Sequence, residues 1–357
     1  MKIKLIGWDV GGAHLKAAAV DGAGNVLALA QEPSPLWLGL DRLHSALDRI
    51  FSRWTPDAGC LHAVTMTGEL ADLFPNREQG VLALLEVMRD RCPAGSLRVF
   101  AGPKGFLPAA GVRGEDREAI ASANWLASGY WAAARLGDGL FIDIGSTTTD
   151  LLPFRNFLPC HRGYTDRERM RYDELVYTGI VRTPLMALAA QAPFEGEWTG
   201  LMAEYFSTTA DIYRLTGELP ESADHLPAAD GGAKTEADSR RRLARMFGCD
   251  AEAVPSEQWR RAARYLRGRQ LDRLGQAVER QLSLGLLSDA APFVGAGFGR
   301  FLARELAARL GHPYQDFSDT FCMIASQHEL IQNPLTCADC APAAATACLA
   351  LREGAFR

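Results

Sequence analysis

Nowhere in the 357 residues is there an uninterrupted apolar run of about 18, the length a membrane-crossing helix needs, so no membrane partner is expected. The first residues pass straight into an apolar strand pattern, without the basic-then-apolar order of a secretory leader, and a cytoplasmic location is expected. Positive charge is also short. Lys and Arg number 38 against 43 Asp and Glu, a net charge of −5, which excludes the basic field that non-specific nucleic-acid binding requires. Histidine is scarce at 7 residues, without the clustering of a metal amidohydrolase. The 8 cysteines contain a single C-x-x-C, Cys337 to Cys340, and no second C-x-x-C or H-x₃₋₅-H completes a zinc set. Cys322 and Cys348 could close a set with that pair, but one pair is a weak signal, so the thiols are expected to be free, as is usual in a reducing compartment.

What remains is the composition of a globular protein, 48% hydrophobic and 23% charged, in a chain long enough for two lobes. Its organising stretch is Gly139 to Phe154. Leu140, Phe141 and Ile142 form a short apolar strand, Asp143 ends it, and Gly145, Ser146, Thr147, Thr148 and Thr149 make a hydroxyl-rich turn before Asp150 and a second apolar run. A strand-turn-strand of this build exposes backbone N–H groups at a glycine, where no Cβ holds an anion away. The adjacent carboxylate can hold Mg²⁺ against phosphate oxygens. An ordinary hairpin with a polar turn is the competing reading.

The N-terminus repeats the pattern as Asp9-Val10-Gly11-Gly12-Ala13-His14-Leu15-Lys16. Asp9 aligns with Asp143, Gly11 with Gly145, Gly12 with Ser146 and Lys16 with Asp150. Two such units in one chain point to an internal duplication, with the two acidic hairpins facing a metal-bound phosphate across a central cleft. Lys16 is placed for a charge contact with that phosphate.

Taken in order, residues 1–33 predict a three-strand meander, 38–54 a helix, 60–66 a strand, 81–91 a helix and 97–101 a strand. The strand at 60–66 ends in Thr67-Gly68-Glu69, a substrate-contacting loop or a capped turn, with Arg77 in the same loop. Lys104, in the turn Gly102 to Gly105, is a secondary phosphate candidate. Residues 117–136 predict one long helix with a run of small side chains and with Trp125 and Trp131 in the core; Asn124 is a cleft residue or a buried amide. From about 165 to 281 the pattern becomes helical and irregular, and its loop Asp230-Gly231-Gly232-Ala233-Lys234 is a lid or a connection. The arginines beyond it are expected mostly on solvated faces among acids. Ala291 to Gly299 leads a strand into a glycine-rich turn and helix containing Gly295 and Gly297, and residues 312–314 and 341–351 close the chain as strand and helix.

These hairpins resemble the phosphate motifs of the sugar-kinase, actin and heat-shock-chaperone superfamily, and the Gly295 to Gly299 turn resembles its adenosine loop. With Met66-Thr67-Gly68-Glu69-Leu70, residues 174–184, Glu204-Tyr205-Phe206, residues 209–215 and residues 230–234, the chain is similar to one subgroup. That subgroup is the hydantoinase/oxoprolinase-like proteins of tetrahydromethanopterin-linked one-carbon pathways. The resemblance implies an α/β, two-lobed actin/hexokinase-like (ribonuclease-H-like) duplicated fold with a central cleft. Its lobes would be residues 1–136 and 137–357, the second carrying a mainly helical insertion at about 165–281.

For function it implies an Mg²⁺-dependent transferase with small-molecule substrates: a phenol oxygen displaces diphosphate from an aminomethylfuran methyl diphosphate and leaves an ether. A γ-glutamyl-tyramine or a tyrosine-like acceptor fits, and a homodimer is compatible. Asp9 and Asp143 would hold the metal, Asp9, Asp143, Asp150 and Lys16 would carry catalysis, and Asp150, Glu69 and His14 are alternatives for the base. Gly11, Gly12, His14, Gly68, Glu69, Lys104, Gly145, Ser146, Thr147, Thr148, Lys234, Gly295 and Gly297 would bind substrate or phosphate. An ATP-dependent kinase or hydantoinase-like hydrolase would use the same groups. His14, where superfamily kinases often carry Ser or Thr, and Phe298, within the adenosine loop, incline the site away from ATP.

Overall fold

A computed structural model describes residues 2–324 and 334–356. The chain divides into two compact units, one of residues 1–139, 154–160 and 316–357, the other of residues 140–153 and 161–315.

The first unit is built on a sheet whose strands are β1 (Leu5–Val10), β2 (His14–Val20), β3 (Val26–Pro33), β4 (Leu61–Met66), β5 (Leu97–Phe100) and β6 (Phe106–Pro108), in the order β3-β2-β1-β4-β5-β6. The meander β1-β2-β3 is antiparallel, while β4 pairs parallel with β1 and β5 parallel with β4. Helices α1 (Asp41–Trp54) and α2 (Arg77–Arg91) cover one face, where Ile6, Trp8, Val10, Val64 and Met66 meet Leu43, Leu47, Ile50, Leu84 and Met88 in a single buried core. Alternation along β1 turns Gly7 and Asp9 to the opposite face. There the C-terminal helix Ala341–Arg352 lies so close to Gly7 that a Cβ at that position would stand 2.2 Å from the Ala343 carbonyl oxygen. The alanines of that helix make the approach possible.

Two sequence expectations are corrected here. Residues 316–357 group with the first unit, not with the second half of the chain, because this alanine-rich helix packs on β1, β2 and β4. The long helix expected over 117–136 is two helices, α3 (Arg117–Ile120) and α4 (Asn124–Leu136). Ser122 between them has φ +51°, a left-handed backbone that breaks the helix, and its hydroxyl donates to Glu69 Oε1 at 2.7 Å. Trp125 and Trp131 are buried as expected.

In the second half of the chain come β7 (Gly139–Ile144), β8 (Thr149–Arg155), the two-residue β9 (Leu158–Pro159) that pairs with the end of β8, β10 (Leu175–Val176), the hairpin β11 (Gln191–Phe194) and β12 (Glu197–Gly200), β13 (Phe293–Ala296) and β14 (Tyr314–Asp316). Leaving aside the two-residue β9, the sheet order β10-β8-β7-β13-β14 places a third strand, a second, a first, then two later ones. That is the order of β3-β2-β1-β4-β5, so the duplication read from the motifs is a duplication of topology. Helices α5 (Asp166–Arg171), α6 (Thr209–Thr216), α7 (Glu236–Met246) and α8 (Ser256–Leu282) make the helical insertion, and α9 (Arg300–Leu310) follows β13. Among the described residues no helix is long and apolar enough to cross a membrane.

Candidate functional site: two duplicated turns

Both hairpins close in the same way. The Gly11 N–H donates to the His14 carbonyl at 3.0 Å, and the Gly145 N–H to the Thr148 carbonyl at 2.9 Å. The two turns therefore align residue for residue, Gly11 on Gly145 and His14 on Thr148, with Lys16 and Asp150 two positions beyond. A Cβ on Gly11 would stand 2.9 Å from the His14 carbonyl, so the first turn tolerates no side chain there. The carbonyls of Gly12 and Ala13 accept from the amides of Leu36 and Ser34, both at 2.9 Å, while the amides of Gly12 and Ala13 donate to no described residue. In the second turn the Gly145 and Ser146 carbonyls accept from residues 180–182, and the amides of Ser146 and Thr147 likewise donate to no described residue. The Ser146 and Thr147 hydroxyls lie 3.5 Å apart beside them. Each turn thus presents adjacent N–H groups with a carboxylate two residues before its first glycine, the chemistry of a site for a metal-bound anion.

Asp143 is partly buried at the end of β7, in parallel register with Ala296 of β13. Gly297 has φ +75°, and a Cβ there would meet the Ile144 carbonyl at 2.3 Å and Asp143 Oδ1 at 2.5 Å. Gly295 faces the Tyr314 hydroxyl, which a Cβ would approach to 2.5 Å, and Gly299 is pressed on Ile144. These glycines keep the space beside Asp143 free of side chains. Phe298 is buried, so the aromatic in this loop is a packing residue.

Asp9 is buried at 6% exposure, opposite Lys16 across β1 and β2, and the Asn124 amide donates to its Oδ1 at 3.4 Å. Asn124 opens α4, so the helix break at Ser122 sets the angle from which it reaches Asp9. Lys16 donates to the Asp339 carbonyl at 2.7 Å, just before the C-terminal helix. Asp150, its counterpart, pairs with the buried Arg169 at 2.9 Å. Burial pushes the Asp150 carboxyl up, and Arg169 opposes that.

Several expected substrate contacts are bound within the protein. Gly68 packs under the first turn, where a Cβ would meet the Val10 and Gly11 carbonyls at 3.0 and 3.2 Å. Glu69 is buried and accepts from Ser122. His14 is buried on β2 against Pro33 of β3. Lys104 pairs with Asp116 at 2.7 Å and holds its carboxyl below the ordinary range. Lys234 donates to Asp224, and the loop 230–234 is tied down by Arg242, which is fully buried and bonds Asp211, Asp230 and the Ala233 carbonyl. The arginine count gave no sign that Arg242 and Arg169 would be buried. The sequence also gave Gly179 and Gln270 no role, although Gly179 packs directly behind the second turn and Gln270 donates to the Gly179 carbonyl.

The donors fit Mg²⁺. They are hard oxygens, and Mg²⁺ is commonly held by one or two carboxylates together with substrate phosphates and water. Among the described residues no three His, Cys, Asp or Glu side chains converge on one point, so they form no all-protein metal cage. Cys337, Cys340 and Cys348 are free, buried thiols whose burial raises them, Cys340 and Cys348 to about 12.

The model of the hydantoinase/oxoprolinase family matches residues 61–317. The chain belongs to this family. A Methanocaldococcus jannaschii protein named (4-{4-[2-(gamma-L-glutamylamino)ethyl]phenoxymethyl}furan-2-yl)methanamine synthase is 30% identical over 261 residues, covering 72% of this chain and 76% of that one. A Methanococcus vannielii protein of the same name is 29% identical over 119 residues, 33% of this chain and 53% of the other. In fold, the nucleotide-free acetone carboxylase structure matches 98% of this chain and 70% of its own, with a TM-score of 0.58 at 10% identity. The family resemblance read from the motifs is thereby borne out.

Proposed function

We propose that this hydantoinase/oxoprolinase family member is a transferase of methanofuran-type cofactor biosynthesis. It would join an aminomethylfuran methyl diphosphate to a phenolic acceptor and release diphosphate. The observation that carries this reading is the Ser146–Thr147 turn, with two amides that donate to no described residue beside Asp143 and glycines clearing the space around it. The furan synthases at about 30% identity supply the substrate class.

In this reaction the phenol oxygen forms a bond to the furan methylene carbon as the bond from that carbon to the diphosphate oxygen breaks. The phenol proton leaves with a base, and the electron pair goes to diphosphate. The electron-rich furan steadies positive charge on the methylene, so the burden on the protein is the charge arriving on the leaving group. Mg²⁺ would neutralise part of that charge, with Asp143 the residue to hold it at the second turn and Asp9 its counterpart at the first. The Ser146 and Thr147 amides donate to the diphosphate oxygens; the Gly12 and Ala13 amides are the equivalent groups of the first turn.

The test is binding and turnover in two variants. Asp143→Asn and Asp9→Asn are each expected to keep the unfolding midpoint near that of the wild type while lowering turnover by about 10²-fold or more, as loss of a charge-stabilising group does. Undiminished turnover in both, or in excess chelator, would remove these carboxylates from the mechanism.

A further inference from the structure

We propose that Gln270 is a positioning residue for diphosphate, acting through the backbone of residues 178–182 on the Ser146 and Thr147 amides. This inference rests on the diphosphate reading above. It begins with peptide geometry. A carbonyl and the following N–H lie in one rigid plane and point in opposite directions. The Gly145 carbonyl accepts from the Ile180 amide at 3.0 Å, and the Ser146 carbonyl from the Val181 and Arg182 amides at 3.0 and 2.9 Å. Fixing those two carbonyls turns the N–H groups of Ser146 and Thr147 away from residues 180–182. The donor directions are therefore set before any anion arrives, which is what preorganised electrostatic stabilisation requires.

The position of the segment decides the position of the turn. Gly179 lies flat on it, since a Cβ there would stand 2.5 Å from both the Ser146 carbonyl carbon and the Thr147 nitrogen. What holds Gly179 comes from the helical insertion. Its carbonyl accepts from the Thr183 hydroxyl at 3.1 Å, from the Thr209 hydroxyl at 2.9 Å and from Gln270 Nε2 at 2.9 Å. Gln270 Nε2 also donates to the Thr178 hydroxyl at 2.8 Å, and Gln270 Oε1 accepts from the Tyr213 hydroxyl at 2.6 Å. Gln270 is fully buried within the 27-residue α8. A buried amide is tolerable only when its polar atoms are satisfied, and here they are satisfied by the segment that carries the turn. The longest helix of the insertion thus acts as a rigid base for the anion-binding amides.

The test uses the full chain and inorganic diphosphate with Mg²⁺, titrated calorimetrically, with unfolding midpoints measured alongside. Gln270→Leu removes both bonds to the segment; Tyr213→Phe removes a bond of the same network but leaves those two in place. Both lose a buried hydrogen bond, so both midpoints should fall. Affinity for Mg²⁺-diphosphate should fall about tenfold in Gln270→Leu and stay within about twofold in Tyr213→Phe. Should Gln270→Leu not fold, Thr209→Val takes one donor from the Gly179 carbonyl without touching α8, and about threefold weaker binding is expected. Variants that bind as tightly as the wild type, or both of the first pair weakening in step with lost stability, would make Gln270 a purely structural residue. A wild-type chain that does not bind Mg²⁺-diphosphate would overturn the diphosphate reading itself, and this inference with it.

Discussion

Gly297 is a residue whose identity the local geometry dictates twice over. Its φ of +75° disfavours any side chain, and a Cβ would overlap both the Ile144 carbonyl and the Asp143 carboxylate. Gly297→Ala is expected to destabilise the chain by about 2 kcal/mol or more, from left-handed strain and overpacking, in urea unfolding. A variant as stable as the wild type would mean that the Asp143 loop yields freely. His62 is a second case. The Trp8 indole N–H donates to its Nδ1 at 3.1 Å, so the ring must stay neutral, and burial lowers its pKa from the ordinary 6.5 to about 4. The unfolded chain takes up this proton below pH 6.5 while the folded chain refuses it until about pH 4. The stability it contributes is thus fully present above the first value and lost as pH falls towards the second. The unfolding midpoint of the wild type should drop more steeply across that window than that of His62→Gln; parallel curves would exclude His62 as the cause.

Among elements, the C-terminal helix departs most from what its place in the sequence suggests. It was legible as a helix, but its partner was not, because alanine-rich surfaces carry little sign of which sheet they meet. The signal lay in Gly7 and Ala18, small residues on one face of β1 and β2 in register with each other. Gly7→Ala would drive a Cβ into the backbone of that helix, where no side-chain rotation relieves the contact. A loss of ~1–3 kcal/mol is expected, read as a lower unfolding midpoint. An unchanged midpoint would show that the helix can lift from β1 at little cost. The break between α3 and α4 was hidden for a different reason. Ser122 has no composition cue for a left-handed backbone, and its partner Glu69 is distant in sequence.

At the scale of the whole molecule, the duplication was readable because each hairpin keeps Asp-x-Gly at the end of an apolar strand. Asp9, Gly11, Asp143, Gly145 and Ser146 were legible from that pattern. Gly179 and Gln270 were not, since they act from other segments through backbone groups that leave no residue signature. Lys104 and Lys234 read as phosphate contacts only because the sequence does not reveal Asp116 and Asp224 beside them. The proposed transfer and a kinase reaction would call on the same hairpins; what separates them is which molecule carries the phosphate. The most direct measurement is mass spectrometry of a nucleotide-free mixture of the protein, Mg²⁺, aminomethylfuran methyl diphosphate and a tyramine-type phenol. An ether joining the furanylmethyl group to the phenol oxygen, formed together with free diphosphate, is expected. No ether without ATP, together with ADP formation once ATP is added, would contradict the proposed transfer.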